Sequence, residues 1–496
     1  MLAAHFPEIA ETQPELLAHH CTEAGLSAQA VPYWQRAGER ALQRSANLEA
    51  VSHMTRGLEV LTVLPETRER AQQELALQIT LGPALAVTKG QQAPETERTY
   101  VRACELARQV GDTPQRFPTL WGFWYAQMAG GKLQRAWELG EEFLALAREQ
   151  QDPLLFVEGH RMLGNVAWWQ GELVQAHAHL KAALALYDPE QHRAHAMRYG
   201  QDSGVACGII GALILWLLGS PDQALQGMEE ALALARRRAH SLTLAVGLLF
   251  SALLHQLRRE PPAAQAQAEA ELVLCTEQGF AYGAWGLLPR GWAVAEQGEV
   301  AEGIAQIRQG FAGWQAIGAL RAWPWFLAVL AEACGKAGQI DEGMHALEEA
   351  LEAVQNNGER VYEAEVYRLK GELLLQDAPA SQEEAEEHFQ QALAVARRQQ
   401  AKSLELRAAM SLARLWQQQG RAPKPASCWH PSTAGSPRAL TRPTCRRPRR
   451  CWRSLGDNTN VHNPPLKQFA QLRRTRHFAR ASTPVLPSTF SPSSML

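Results

Sequence analysis

Residues 161–189 read RMLGNVAWWQGELVQAHAHLKAALALYDP, and this stretch decides the fold. Leu163 and Gly164, then Ala167, Gly171, Ala176, Leu180, Ala183 and Pro189 follow at spacings that suit two short helices joined by a turn. Antiparallel helices approach closely only where Gly or Ala removes bulk; large apolar residues fill the remaining space, and a Gly reverses the chain. The same frame returns along the sequence. Gly25, Ala30, Trp34 and Ala37 match its second half, as do Gly131, Ala136, Gly140 and Phe143, and Gly219, Ala224, Met228 and Ala231. Gly298, Gly303, Ile307 and Gly310 carry glycine in place of two alanines, and Gly338, Gly343, Leu347 and Ala350 come next. Ala385, Phe389 and Ala392 belong to a repeat with a longer turn, DAPASQEE, and a half-repeat, SLELRAAMSLARLWQQQG, ends at Gly420. Stretches around 66–110 and 251–279 fit only loosely.

This frame resembles the tetratricopeptide repeat (TPR) signature. Many matches in one register predict an all-α, TPR-like helix-pair solenoid, a right-handed superhelix. We expect a degenerate helical region over 1–113, the solenoid proper over 114–420, and a disordered, basic, Pro/Arg/Ser-rich tail over 421–496. Trp34, Trp121, Trp124, Trp216, Trp292 and Trp416 fall on apolar helix faces and are expected to fill space between helices. Two apolar runs, Val205–Gly219 and Ser241–Leu257, fall short of the roughly 20 residues a membrane span needs. Each is read as the buried first helix of a pair.

The chain has 496 residues, 46% of them hydrophobic, enough to bury an extended core. Its near balance of 49 Lys+Arg and 51 Asp+Glu hides two regions. Residues 421–496 hold 14 basic residues, a single acidic one, Asp457, and 11 of the 27 prolines; residues 1–420 hold 35 basic and 50 acidic. Eight scattered cysteines without a C-x-x-C argue against a disulfide framework or zinc site and fit a reducing cytoplasm. No N-terminal stretch has the pattern of a signal peptide.

Reaction chemistry is not legible. There is no G-x-x-x-x-G-K-[ST]; the nearest string, Ala129-Gly130-Gly131-Lys132-Leu133, reads as a turn between helices. H-E-x-x-H and G-x-S-x-G do not occur. His177 and His179 are two apart on a helix and point in different directions. His192 and His195 could share a metal by spacing, but a loop or capping role is expected. Glu383, Glu384, Glu386 and Glu387 read as a solvated face, and Arg236–Arg238 and Arg397–Arg398 as favourable charges at helix C-termini. No catalytic residue, cofactor or metal is expected. One polar group stands out as a candidate groove site: Arg161 and Asn165, four apart on a first helix, with Trp168 and Trp169 one turn on. A cation, an amide and an indole could grip a peptide carboxylate or phosphate; an ordinary inter-repeat hydrogen bond is the competing reading.

The strings HFPEIAETQPELLAHHCTEAGLSAQAVPYWQRAGERAL, near the N-terminus, and YRLKGELLLQ with ALAVARRQQAKSLELRAAMSLARLWQQQG carry wording beyond the generic repeat. Both resemble the C-terminal TPR region of bacterial multidomain signalling proteins, in which a class III adenylate/guanylate cyclase or another regulatory head precedes a STAND/AAA-type ATPase. The resemblance covers about residues 5–420 and implies a regulatory scaffold that senses a ligand or partner. The cyclase aspartates and the phosphate-binding loop have no counterpart here, and the chain begins about where the ATPase module would end. The expected role is therefore a noncatalytic scaffold for a protein or peptide partner, possible cyclase or ATPase modules included. The alternative is a ligand-sensing fragment of such a cyclase, ATPase or transcriptional regulator. Neither specific nucleic-acid binding nor membrane insertion is expected.

After Gly420 the frame calls for another helix, but Pro423 and Pro425 forbid it. Codons permitted for PKPASCWHP, read one base earlier, can give AEARELLAP, an amphipathic helical segment in register. We read the segment after residue 421 as out of frame; the nucleotide sequence decides. The competing reading is a polyanion-binding arm, with Arg446, Arg447, Arg449, Arg450 and Arg453 supplying charge and Trp452 and Phe469 able to stack.

Overall fold

The computed structural model describes residues 12–421, apart from 45, 90–92, 112, 193–198, 281–282, 317, 319 and 378–380. All of these lie in the first of two compact units, residues 1–436. The tail beyond Arg421, with its proposed change of frame, and His195 lie outside the described residues.

The described residues form twenty helices and no strand. They run α1 (Pro14–Glu23), α2 (Ser27–Gln43), α3 (Asn47–Leu61), α4 (Arg68–Thr88) and α5 (Pro94–Val110). Pairs follow: α6 (Thr113–Ala129) with α7 (Leu133–Gln150), α8 (Pro153–Trp169) with α9 (Leu173–Leu186), and α10 (Ser203–Leu217) with α11 (Pro221–Arg238). Next come α12 (Ser241–Leu257) with α13 (Pro261–Gln278), α14 (Gly283–Glu296) with α15 (Val300–Ala316), and α16 (Trp323–Lys336) with α17 (Ile340–Asn357). The series ends with α18 (Glu363–Asp377), α19 (Gln382–Arg398) and α20 (Lys402–Gln418). Each helix packs on the next, and even-numbered helices also touch one another from α2 to α6 and from α8 to α20. The chain is thus a two-layered, TPR-like helix-pair solenoid, with the even-numbered helices as its inner layer.

Local chemistry explains the breaks. Asp152 caps α8 by accepting from the Leu154 amide at 2.9 Å, and Asp202 caps α10 through the Val205 amide at 3.1 Å. Pro153, Pro221 and Pro261 open helices, where no amide donor is needed. The turn between paired helices takes a left-handed residue, Gly171 at φ +79° and Gly338 at φ +72° for instance. Between α12 and α13 that place is held by Arg259, at φ +60°. Its side chain, not its backbone, is what this position needs, as shown below, and this is why residues 251–279 fit the frame poorly.

One assignment changes. The Gly25–Ala37 spacing had matched the second half of the frame, yet α2 touches α4 and belongs with the even-numbered layer. Small residues at helix spacing mark a close crossing but do not say which helix of a pair carries them.

The two apolar runs form α10 and α12, buried nearly throughout. Among the described residues no helix is long and apolar enough to cross a membrane. Tyr100 to Leu404 contribute to one contiguous apolar core, whereas residues from Ala18 to Val110 also form several small separate clusters. The five described cysteines are free.

The superhelix is wound so tightly that successive windings touch. The carbonyl of Ala129, at the end of α6, accepts from the amides of Leu320 and Arg321 at 3.0 and 3.3 Å, just before α16. The Trp169 carbonyl, ending α8, accepts from Arg360 and Val361 at 2.8 and 3.2 Å, just before α18. Trp216, near the end of α10, accepts from the Ser403 hydroxyl at the start of α20. Each junction joins a helix C-terminus to the chain five helix pairs further on. At Ala129 and Trp169 the otherwise unpaired helix-end carbonyls of one winding accept from amides just ahead of helices in the next, while the Trp216 carbonyl also accepts from the Gly219 amide of its own winding; the arrangement places opposite helix-dipole ends together.

Candidate functional site on the superhelix axis

Because the windings touch, the inner helices close on one another and their side chains fill the axis. Ring centroids of Trp168 and Phe250 lie 5.9 Å apart, Trp169 and Trp285 6.4 Å, Phe250 and Trp285 5.6 Å, and Trp285 and Trp314 5.0 Å. These rings come from α8, α12, α14 and α15 and meet across the axis instead of along one helix. Into them reaches Arg321, from the connection between α15 and α16. Its guanidinium carbon lies 5.9 Å from the Tyr125 ring centroid and 5.7 Å from those of Trp169 and Trp285. The Arg321 carbonyl accepts from the Trp314 indole at 2.7 Å. Glu359 accepts from the Ala322 amide at 2.8 Å.

Glu359 is fully enclosed, and burial pushes its carboxyl up to about 8, although the Ala322 amide and Arg321 favour the charged form. The sign follows from linkage. The folded value lies above the ordinary 4.5, so the stability this group contributes is lost as pH climbs from about 4.5 towards 8. Glu359→Gln is expected to flatten that part of the pH dependence, as measured by urea unfolding of both chains between pH 5 and 8.5; parallel curves would refute it.

Further along the inner layer the lining is polar. Arg259, in its left-handed turn position, pairs with Glu296 at 3.2 Å and with Glu332; Lys336 pairs with Glu296 at 2.6 Å. Arg368 pairs with Glu365 at 2.8 Å and Glu372 at 3.2 Å, and Arg407 with Glu365 at 3.0 Å. Arg407 also donates to the Leu257 carbonyl and stacks on Trp216 at 5.0 Å. Burial alone would raise the Glu365 carboxyl, but Arg368, Arg407 and Arg259 hold it far below the ordinary carboxylate range. These four cations and four carboxylates tie α12, α14, α16, α18 and α20 together. A glycine at 259 would relax the turn but forfeit the pairs to α14 and α16.

The candidate groove residues are placed as follows. Arg161 is buried: it donates to Glu158 at 3.3 Å and Gln201 at 3.1 Å and stacks on Trp121 at 4.5 Å. Glu158 in turn bonds the Ser203 hydroxyl at the start of α10. Asn165 is half-buried, and its Oδ1 is without a hydrogen-bond partner among the described residues. Trp168 and Trp169 are fully buried in the axial core. The structure therefore brings Arg161 into an inter-repeat network and the two indoles into the aromatic axis, not onto one open wall. A carboxylate reaching Arg161 would have to displace Glu158 and Gln201. Arg161→Ala is expected to cost about 3–5 kcal/mol, since it strands the buried Glu158 charge. Thermal unfolding checks this. Unchanged unfolding with lost partner capture would support a groove site instead.

His179 does not pair with His177; its Nδ1 lies 3.0 Å from Nδ1 of His160 on α8. His192 bonds the Asp188 backbone, the expected loop role. Among the described residues no three His, Cys, Asp or Glu side chains form a group that could hold a metal. Sequence reading missed Arg321 and the charged ladder. The available signal was the E-x-x-R spacing on first helices, Glu158/Arg161 on a largely apolar one and Glu365/Arg368 on a charged one, and an arginine beside the aromatic run Trp323-Pro324-Trp325.

Geometry and packing define the class: a helical-repeat solenoid with a filled axis. No protein-family model matches the chain. It is similar to an uncharacterized protein of Rhizobium meliloti (strain 1021), 28% identical over 364 residues, covering 71% of this chain and 34% of that one. The chain thus spans about a third of the length of this relative. Among solved structures it is similar to the apo form of RapI, at 12% identity and a TM-score of 0.46 over 58% of this chain and 98% of that one. It is also similar to a signal transduction ATPase with a tetratricopeptide repeat sensor from Pyrococcus horikoshii, at 14% identity and a TM-score of 0.39, covering 71% and 50%.

Proposed function

We infer that the chain is a noncatalytic, cytoplasmic scaffold that binds a protein or peptide partner in bacterial signalling. The observation that supports this reading is the division of labour between the layers. The even-numbered helices spend their side chains on the core, the axis and paired charges, which leaves the outer faces of the odd-numbered helices free to vary without touching the fold. One of these, α9, exposes Val174, Leu184 and Leu186 and carries Lys181 as its single charged residue, unlike the strongly charged α11 and α19. Exposed apolar side chains gathered on one such helix suit a protein contact. Cross-linking of the purified full chain to co-purified proteins tests this. Cross-links concentrated on α9 and its neighbours support it; turnover of a nucleotide by the purified chain overturns it.

A second reading is a ligand-sensing segment working with cyclase or STAND-type ATPase modules. It is favoured by the longer relative, of which this chain matches only 34%. Sequencing of the flanking genomic region tests it: an upstream ATPase or cyclase segment supports the reading, and its absence sinks it.

A further inference from the structure

We propose that this chain associates with a second copy of itself head to tail: the uncovered turns that follow α14 and α16 in one copy receive the exposed segments that precede α2 and α4 in the next.

The contact between windings shows what such turns bind. It runs along the turns that follow the inner helices. A Cβ placed on Gly131 would meet Asn357 Cβ at 3.2 Å, one on Gly171 would meet Gln399 Nε2 at 2.5 Å, and one on Gly219 would meet Lys402 Cβ at 3.0 Å. The same row of turns continues after α14 and α16 with nothing upon it: a Cβ on Gly298 or Gly338 meets no atom within 4 Å. Gln170 and Leu218, just ahead of covered glycines, are half-buried, whereas Gln297 and Ala337, at the same place in the later turns, are exposed. The carbonyls of Glu296 and Lys336 end their helices as those of Ala129 and Trp169 do, but accept from no other winding. They carry the negative ends of two helix dipoles and suit amides at helix N-termini.

The matching surface lies ahead of the first inner helices. Leu320 before α16 and Arg360 before α18 are residues that seat on the first winding. Their counterparts before α2 and α4 are Leu26, 46% exposed, and Val63, 71% exposed. No side chain caps α2, which leaves amides of its first turn for a partner's carbonyl. Leu16 on α1 and Leu48 on α3 are exposed as well, although the outermost units of a solenoid need polar outer faces when they stand alone. Along α20, the last described helix, Leu406, Met410 and Ala413 form a half-buried apolar stripe at helical spacing.

Counting sets the register. Junctions join helices five pairs apart, so a second copy that continues the array places its α1 beside α20, its α4 on the end of α14 and its α6 on the end of α16. Val63 then comes to the Gly298 turn, beside the exposed Glu299. Two different surfaces of one chain make this contact, so each pair of copies keeps a free end and the association is open. The exposed face of α9 is not used, and the two readings stand or fall separately.

Sedimentation velocity of the full chain at rising concentration tests this. The unaltered chain should form dimers and then longer species. Val63→Glu spoils one end by facing Glu299, and Ala337→Arg spoils the other by setting a cation against an incoming helix N-terminus. Both residues are exposed. Each variant alone should associate at least about tenfold more weakly. Mixed in equal amounts, the two variants should give a dimer and nothing larger, because each keeps the end the other has lost. Val174→Glu on α9 should associate like the unaltered chain; loss of association there would move the contact to α9 and overturn the proposal. So would an unaltered chain that stays monomeric, association kept by both single-end variants, or a mixture as monomeric as its components. The first measurement stands even if a variant does not fold.

Discussion

Gly303→Ala is expected to destabilise the chain by about 3 kcal/mol or more, the upper end of overpacking penalties. A methyl group placed on Gly303 would sit 2.5 Å from the Gly291 carbonyl oxygen and 2.7 and 2.8 Å from Cβ and N of Ala295. The reciprocal position is equally tight, with a Cβ on Gly291 falling 2.6 Å from the Gly303 carbonyl oxygen. Backbone, unlike a long side chain, has no rotamer into which to retreat, so α14 and α15 must separate. Gly227→Ala on α11 is the control. There the added Cβ meets only Ala212 Cβ at 4.0 Å, and the helix gains up to about 1 kcal/mol from the better helix former. Urea unfolding of the two variants should move in opposite directions; a Gly303→Ala chain as stable as the parent would show that the α14–α15 crossing can open freely.

Trp285→Ala is expected to cost about 3–5 kcal/mol. Trp285 is fully buried and is the ring around which Trp169, Phe250, Trp314 and Arg321 gather. Its loss removes the wall between two windings. In an ordinary repeat array each repeat contacts only its neighbours, so a lesion stays local. Here α8 and α14 meet across the axis, and the junctions at Ala129, Trp169 and Trp216 couple helix pairs that lie far apart in the chain. Trp285→Ala should therefore raise hydrogen exchange at the Arg360 and Val361 amides as well as around α14. Trp416→Ala, in the small cluster at the end of α20, should lose less and leave those amides unchanged. Protection that changes only within α13 to α16 would refute the coupling.

The helix pairs were legible because their cause is local. Small residues at Gly164, Gly303 and Gly343, and left-handed turns such as Gly171 and Gly338, are needed wherever two helices cross and reverse. Replacement of alanine by glycine at 303 and 310 was visible too, and its reason is direct backbone contact. The frame faltered where local and distant needs diverge. Arg259 keeps a backbone conformation that suits glycine because its guanidinium joins carboxylates on α14 and α16.

The candidate site shows the same division. Arg161 was recognisable as a polar residue on an apolar helix, but its partners Glu158, Gln201 and Trp121 are gathered by three different segments. Nothing near Trp168 and Trp169 in the chain reveals that Phe250 and Trp285 face them.

From its order of residues alone the chain determined its class, since helix periodicity, close crossings and turns depend on neighbours a few positions apart. The pitch of the superhelix was decided only in three dimensions. Pitch is a sum of small rotations at every interface, and it sets which remote side chains meet. That sum closed the axis, turned the anticipated concave groove into packed indoles, and brought Arg321 among rings contributed by three separate helices.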